Sequence, residues 1–391
     1  MAAFRFAFII TLVALLSACG GGGGTTSTPG SNTSQKANRV LGLDIANPAE
    51  NNDFTNNITL AKGAGVEAVT LHLDWNVLEP GAPNNGTPVY DTNTLALVSA
   101  ANSTYAANNL RLSLTLAPID TNGIKVPSDL VNRAFYDFTS DPTGTCSGTQ
   151  PLLDRFNQMV DTVLAQLPNV TLTSLQIGNE VDIELLKNHA SPLDTLWNQY
   201  AVFTKCVRTH VQTQHPSLKV GVTFTYAGLT GNAGANFKEF NRIAATDVLG
   251  VTYYPLNPDF TVEYPLPVVS DLAALVSLYH TQAPTLNIPI FVQEIGLPTS
   301  AVNGSSATLQ EQFVRDVFSV WDRYAADIPF LAFLRLHDLG TAASTTDKFS
   351  EYLRTLGLRS YSGSGTSKPG YCALKDEAGT RGWLIDNAPC P

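Results

Sequence analysis

The sequence predicts an α/β protein, a single (β/α)8 TIM barrel, and two observations carry that expectation. Eight short apolar runs alternate with amphipathic stretches from Arg39 onward, which is the rhythm of repeated strand–helix units. A doubly wound open sheet shares that rhythm, but no Gly-rich phosphate loop follows the first run, and the count reaches eight.

The predicted strands are Val40–Ile45, Ala68–Leu73, Leu110–Leu116, Leu172–Ile177, Lys219–Phe224, Val248–Tyr253, Ile290–Gln293 and Phe330–Leu336. Between them, apolar residues recur at helical spacing. Leu153, Phe156, Val160, Val163 and Leu167 form one stripe; Leu196, Tyr200, Phe203, Val207 and Val211 form a second. A third runs through Leu309, Phe313, Val317, Val320 and Tyr324. Stripes of this width are expected to cover a barrel. The longest loop, Asp120–Gln150, follows the third strand and is expected over the active face.

Composition narrows the partners. The 391 residues include 23 Lys+Arg against 33 Asp+Glu, for a net charge of −10, and only 14% are charged. Without a basic cluster, nucleic acid is excluded as a partner, because phosphates need a cationic face. A neutral, hydroxyl-rich ligand suits the low charge. The six His are scattered, no Cys/His spacing fits zinc, and no cofactor is expected. No Gly-x-Ser-x-Gly elbow occurs.

The N-terminus reads as a processing segment. Arg5 precedes an apolar run from Phe6 to Leu16, too short for the ~18 residues that cross a bilayer. It ends Leu16-Ser17-Ala18-Cys19, which resembles a bacterial lipoprotein cleavage site. That resemblance implies a signal peptide over 1–18, lipidation of Cys19, and, with Gly20 in place of a retaining Asp, an outer-membrane anchor. Residues 19–37 form a Gly/Ser/Thr-rich tether, and 38–391 form the barrel domain, expected as a monomer. The remaining cysteines, Cys146, Cys206, Cys372 and Cys390, are even in number in an exported chain and suit two disulfides. Three pairings are possible; Cys146–Cys206 with Cys372–Cys390 is favoured because the second would tie down a short tail.

The chemistry lies in two segments, Leu175-Gln176-Ile177-Gly178-Asn179-Glu180-Val181 and Phe291-Val292-Gln293-Glu294-Ile295-Gly296-Leu297-Pro298. Each places a Glu where a strand gives way to loop, on strands four and seven. Carboxylates at the C-terminal ends of different barrel strands converge on one cleft. Two of them facing a glycosidic bond divide proton donation from nucleophilic attack. The plainer reading of either Glu, a helix-cap neighbour or surface acid, does not account for two at matching strand ends.

These motifs resemble the clan of retaining (β/α)8 glycoside hydrolases with Asn-Glu on strand four and Glu on strand seven. Ile177–Val181 and Glu294–Ser300 are similar to signatures of endo-β-1,3-glucanases, while Val251-Thr252-Tyr253-Tyr254-Pro255-Leu256 is closer to the sixth strand of endo-β-1,4-galactanases. The resemblance spans Leu41 to Pro369 and implies a neutral β-glucan or β-galactan substrate. It also implies Glu180 as the protonated acid/base, Glu294 as the anionic nucleophile, Asn179 on the sugar 2-hydroxyl, and Tyr254 against the nucleophile. His72, Trp75 and His337 are expected as cleft liners, although each also suits a core position. Tyr253 is expected to pack, since Tyr254 shares a face with Thr252. Thr70, Leu297 and Leu334-Arg335-Leu336-His337-Asp338 depart from the clan pattern at sugar-binding positions. The alternatives are a non-catalytic sugar-binding lipoprotein on the same barrel and a transglycosylase.

Overall fold

Eight parallel strands close into one ring in the computed structural model. They are β1 (Val40–Leu43), β2 (Ala68–Asp74), β3 (Arg111–Ala117), β4 (Leu172–Ile177), β5 (Val220–Thr225), β6 (Val248–Tyr253), β7 (Ile290–Ile295) and β8 (Phe330–Phe333). Each pairs with its sequence neighbour and β8 closes on β1. The structure describes residues 36–121, 123–187, 193–231, 246–340, 346–384 and 390. The expected signal segment, Cys19 and almost all of the tether lie outside these residues.

Every predicted strand is present, and the differences fall at the ends. β1 and β8 stop short of the apolar runs that announced them, while β7 continues two residues further and takes Glu294 into the sheet. The helices that matter below are α1 (Phe54–Gly63), α2 (Thr92–Ala107), α3 (Pro151–Ala165), α4 (Leu193–Gln214), α5 (Val268–Gln282), α6 (Ala307–Arg323), α7 (Lys348–Thr355) and α8 (Pro369–Thr380). The predicted stripes bury Phe156, Val160 and Val163 of α3, Tyr200, Phe203 and Val207 of α4, and Phe313, Val317 and Val320 of α6. Their large apolar area supplies the main drive for wrapping the barrel.

Inside the ring the packing is layered. Val40, Ala68, Val248, Phe291, Phe330 and Ala332 form an apolar plug separate from the outer core. Gly42 has no room for a side chain, since a Cβ there would stand 2.8 Å from that of Ala332. Above the plug lies a polar layer. Ser113 of β3 donates to Gln293 of β7 at 2.8 Å across the lumen and contacts Ser174 of β4 at 3.0 Å. Gln176 donates to Ser174 at 3.1 Å and accepts from Thr223 at 3.4 Å. Such a layer is tolerable because these buried groups partner one another.

Both disulfides have the favoured pairing, Cys146–Cys206 and Cys372–Cys390. The first fastens the long loop after β3 to α4. That loop folds about Asp141, whose carboxylate accepts from Tyr136, from the backbone of Thr145 at 2.7 Å and from that of Ser147 at 3.0 Å. A cavity of about 690 Å³ lined by Asp161, Pro168 and His215 opens at the opposite end of the barrel from the motifs.

Candidate active site

The backbone around Glu180 is unusual before any chemistry is considered. Gly178 has φ of 88°, and a Cβ there would lie 2.5 Å from the Tyr200 hydroxyl, so only glycine fits. Its N–H donates to the Leu116 carbonyl and that of Asn179 to Ile119, which locks the end of β4 onto β3. Glu180 itself has φ of 45°, a left-handed conformation that costs a non-glycine residue about 1 kcal/mol. Both carboxylate oxygens are held: Thr121 donates to Oε2 at 2.6 Å and Thr252 to Oε1 at 2.7 Å. The side chain is thus moored from the β3 loop and from β6.

A bulge aims Glu294. Val251 pairs with Val292, but Thr252 pairs with Glu294, so one residue of β7 is extra; β8 shows the same skip. Gln293 and Glu294 consequently both face inward, whereas strict alternation would send one of them to the helices. Glu294 Oε2 accepts from the Tyr254 hydroxyl at 2.7 Å. Burial, then the facing Glu180 charge, pushes the Glu294 carboxyl up to about 7, against the Tyr254 hydrogen bond.

Further groups surround the pair. Asn179, 7% exposed, donates to Asp120 at 3.1 Å. Tyr352 of α7 stands edge-on to Tyr254, ring centroids 5.5 Å apart; burial and the charges of Glu180 and Glu294 hold its hydroxyl well above the usual range. Asp182 is pushed up to about 7 by burial, although the Thr225 backbone and hydroxyl donate to it at 2.8 and 2.6 Å. Asp44, at the end of β1, faces Arg335 at 3.8 Å, and its carboxyl is raised by burial. Sequence reasoning missed Asp120, Thr121, Thr252, Asp182 and Tyr352. Their positions just past or at strand ends were the available signal for the first four; Tyr352 reaches the site from a helix, where none existed.

The three expected cleft liners separate. His72 sits in the cleft, 3.0 Å from Asp74. Burial disfavours its charge, but Asp74, Asp120 and Glu294 together raise its pKa. Trp75 is fully buried, donates to Glu79 at 2.8 Å and packs edge-on to Phe156, so it is core and not cleft. Its position begins a one-turn helix that turns the ring outward from the barrel end. His337 is likewise buried beneath the chain near Gly365, bonded to the Ser360 carbonyl at 3.0 Å, and burial lowers its pKa. Tyr253 reaches outward to Asp271 of α5 at 2.9 Å. Trp383 stacks on Trp321, 5.2 Å between rings, on the outer face.

Among the described residues one group has metal-ligand proximity: His72, Asp74 and Asp120, whose ligand atoms lie within 4.8 Å of one another. All three already have protein partners, with Lys125 3.8 Å from Asp74 and the Asn179 amide on Asp120.

Comparison with known proteins bears on the fold. A family model described as glycosyl hydrolase family 53 matches residues 151–320. No curated protein sequence matches the chain. Among solved structures, the fold is similar to a family 39 glycoside hydrolase from the gut symbiont Bacteroides cellulosilyticus, at 16% identity and a TM-score of 0.56 over 88% of this chain and 64% of that one. A GH5_18 protein from Streptomyces cattleya gives 16% identity and a TM-score of 0.65, covering 90% of this chain and 82% of that one. The Ignisphaera aggregans GH53 catalytic domain gives 15% and 0.60, covering 90% and 98%. The chain spans less than two thirds of the family 39 structure. Fold and family match are those of a (β/α)8 glycoside hydrolase, with resemblance to the galactanase family.

Proposed function

We propose that the protein is a retaining glycoside hydrolase that cleaves β-linkages in a neutral polysaccharide or oligosaccharide of the β-galactan or β-glucan type. The observation that carries this reading is the pairing of Glu180 and Glu294 through one strand: Thr252 donates to Glu180 and is itself the cross-strand partner of Glu294.

In this reading Glu294 attacks the anomeric carbon while Glu180 gives its proton to the departing glycosidic oxygen. A glycosyl ester forms as the C–O bond to the leaving group breaks. Glu180, now anionic, then takes a proton from water, whose oxygen displaces Glu294 and restores the original anomeric configuration. The carboxyl pair must enter the cycle holding one proton between them, and the raised Glu294 supports such sharing near neutral pH. The Tyr254 hydroxyl favours the Glu294 anion, and the threonine hydroxyls on Glu180 can donate or accept, so they serve either of its states. In this reading Asn179, the neighbour of Glu180 in the chain, contacts the sugar 2-hydroxyl. Secretion and attachment to the outer membrane through Cys19 complete the proposal: the enzyme acts as a monomer on glycans met outside the cytoplasm.

The test is a panel of β-1,4-galactan, β-1,3-glucan and β-1,4-glucan assayed for new reducing ends, with the first-formed anomer read by proton NMR. A β-anomeric product is expected. An initial α-anomer, or no turnover on any β-linked glycan, overturns the reading.

A further inference from the structure

An aromatic line runs from Glu294 to the surface. Tyr254, bonded to Glu294, meets Tyr352 at 5.5 Å. Tyr352 stacks with Phe260, 5.9 Å and 24° between planes, and lies 6.4 Å from Phe349. Phe349 closes on Phe260 at 4.9 Å and is 47% exposed. The outermost ring is therefore two ring contacts from the side chain that holds the carboxylate.

This arrangement is built at some cost. Phe260 has φ of 62°, a left-handed conformation that bulky residues rarely adopt. Fully buried Asn303 donates both to the Phe260 carbonyl at 2.7 Å and to the Lys348 carbonyl at 2.8 Å. It thus clamps the backbones that present the two phenylalanines. Lys348 and Asp259, the residues immediately before Phe349 and Phe260, form an ion pair at 2.6 Å across the same junction. A ring serving only the core would be covered. Phe349 is instead clamped in place with nearly half its surface in water, joined through Tyr352 and Tyr254 to Glu294.

We propose that Phe349, backed by Phe260 and Tyr352, is a stacking platform for a further sugar unit of the substrate chain, outside the unit whose bond is cleaved. The C–H face of a pyranose is apolar and matches an aromatic face, while its hydroxyls remain in water. A platform fixed before binding loses little entropy when the sugar arrives. The inference rests on the glycan-cleaving reading and adds where the chain lies.

The experiment compares wild type, Phe349→Ala and Phe349→Trp on hexasaccharides and aryl disaccharides of whichever β-glycan the wild type cleaves. Leu97→Ala, which removes an exposed apolar group on α2, serves as the control. The ratio of kcat/KM for hexasaccharide over disaccharide should fall about tenfold in Phe349→Ala. It should recover in Phe349→Trp and stay at the wild-type value in Leu97→Ala. An unchanged ratio in Phe349→Ala overturns the platform while leaving the hydrolase reading intact. If the wild type cleaves nothing, the hydrolase reading fails, and calorimetry with β-1,4-galactohexaose and β-1,3-glucohexaose decides the platform. Binding that Phe349→Ala weakens supports it; equal binding, or none, overturns it.

Discussion

Thr252 donates a 2.7 Å hydrogen bond to Glu180 while occupying the register position opposite Glu294. A single β6 residue therefore fixes one carboxylate by its hydroxyl and faces the other through its backbone. Thr252→Val keeps the shape and removes the donor. We expect kcat to fall about tenfold with the melting temperature within a few degrees of wild type. Steady-state kinetics beside a thermal melt checks this, and unchanged kcat would show that Glu180 needs no such mooring.

The roles of the two glutamates differ in a way that azide reveals. Glu294→Ala should abolish turnover and leave space for azide to attack the anomeric carbon directly, giving an inverted glycosyl azide. Glu180→Ala should still form the glycosyl ester from substrates with good leaving groups, and azide should then release it with retention. Near wild-type activity in both variants would sink the assignment.

The proton shared by the pair sets a pH signature. With the Glu294 carboxyl raised to about 7, kcat/KM should decline as pH rises through about 7, where the pair loses its remaining proton. Stability follows the same sign. An acid whose folded pKa lies above its unfolded value stabilises fully below the unfolded value and loses that contribution as pH rises through the folded one. Glu294→Gln should therefore raise the melting temperature by on the order of 2–5 °C at pH 8 and by less at pH 4. A larger gain at pH 4 than at pH 8 would contradict the burial of this charge.

Cys146–Cys206 closes a 60-residue separation. Replacing both residues by Ser should cost about 2–5 kcal/mol, read as a lower urea midpoint. Thiol labelling of the folded oxidised protein should find none of Cys146, Cys206, Cys372 or Cys390 reactive.

Cys19→Ser should release the protein from the membrane fraction or stall its processing, as judged by fractionation and intact mass. A correctly processed variant that still partitions to membrane would remove the lipid-anchor proposal.

The barrel was legible because its signals are local and periodic. Each of the eight strands carries its own apolar run, and the stripes lie within α3, α4 and α6 apart from their last members Leu167 and Tyr324, which fall just past the ends of α3 and α6. Trp75 and His337 were ambiguous for the opposite reason. Period-two reasoning works inside a strand, but both lie past strand ends, where the chain turns and the face of a side chain is set by tertiary contacts such as Glu79 and Ser360. Tyr352 was out of reach, since it joins the site from a helix almost a hundred residues after Tyr254 through packing alone. Glu294 could be singled out as a residue type near a strand end. Its aim depends on a bulge, and nothing in Phe291-Val292-Gln293-Glu294 announces one.

That bulge makes β7 unequal in its response to length changes. Losing Gln293 would leave Phe291 inward, Val292 outward and Glu294 inward, which is ordinary alternation; the lumen would forfeit the bond to Ser113, yet the carboxylate would keep its bearing. Gaining a residue at the same place would turn Glu294 toward the surrounding helices, or demand a second irregularity to bring it back. Shortening is thus the permitted direction of drift for this strand and lengthening the forbidden one, so the chemistry of the barrel is buffered against one class of accident and exposed to its mirror image.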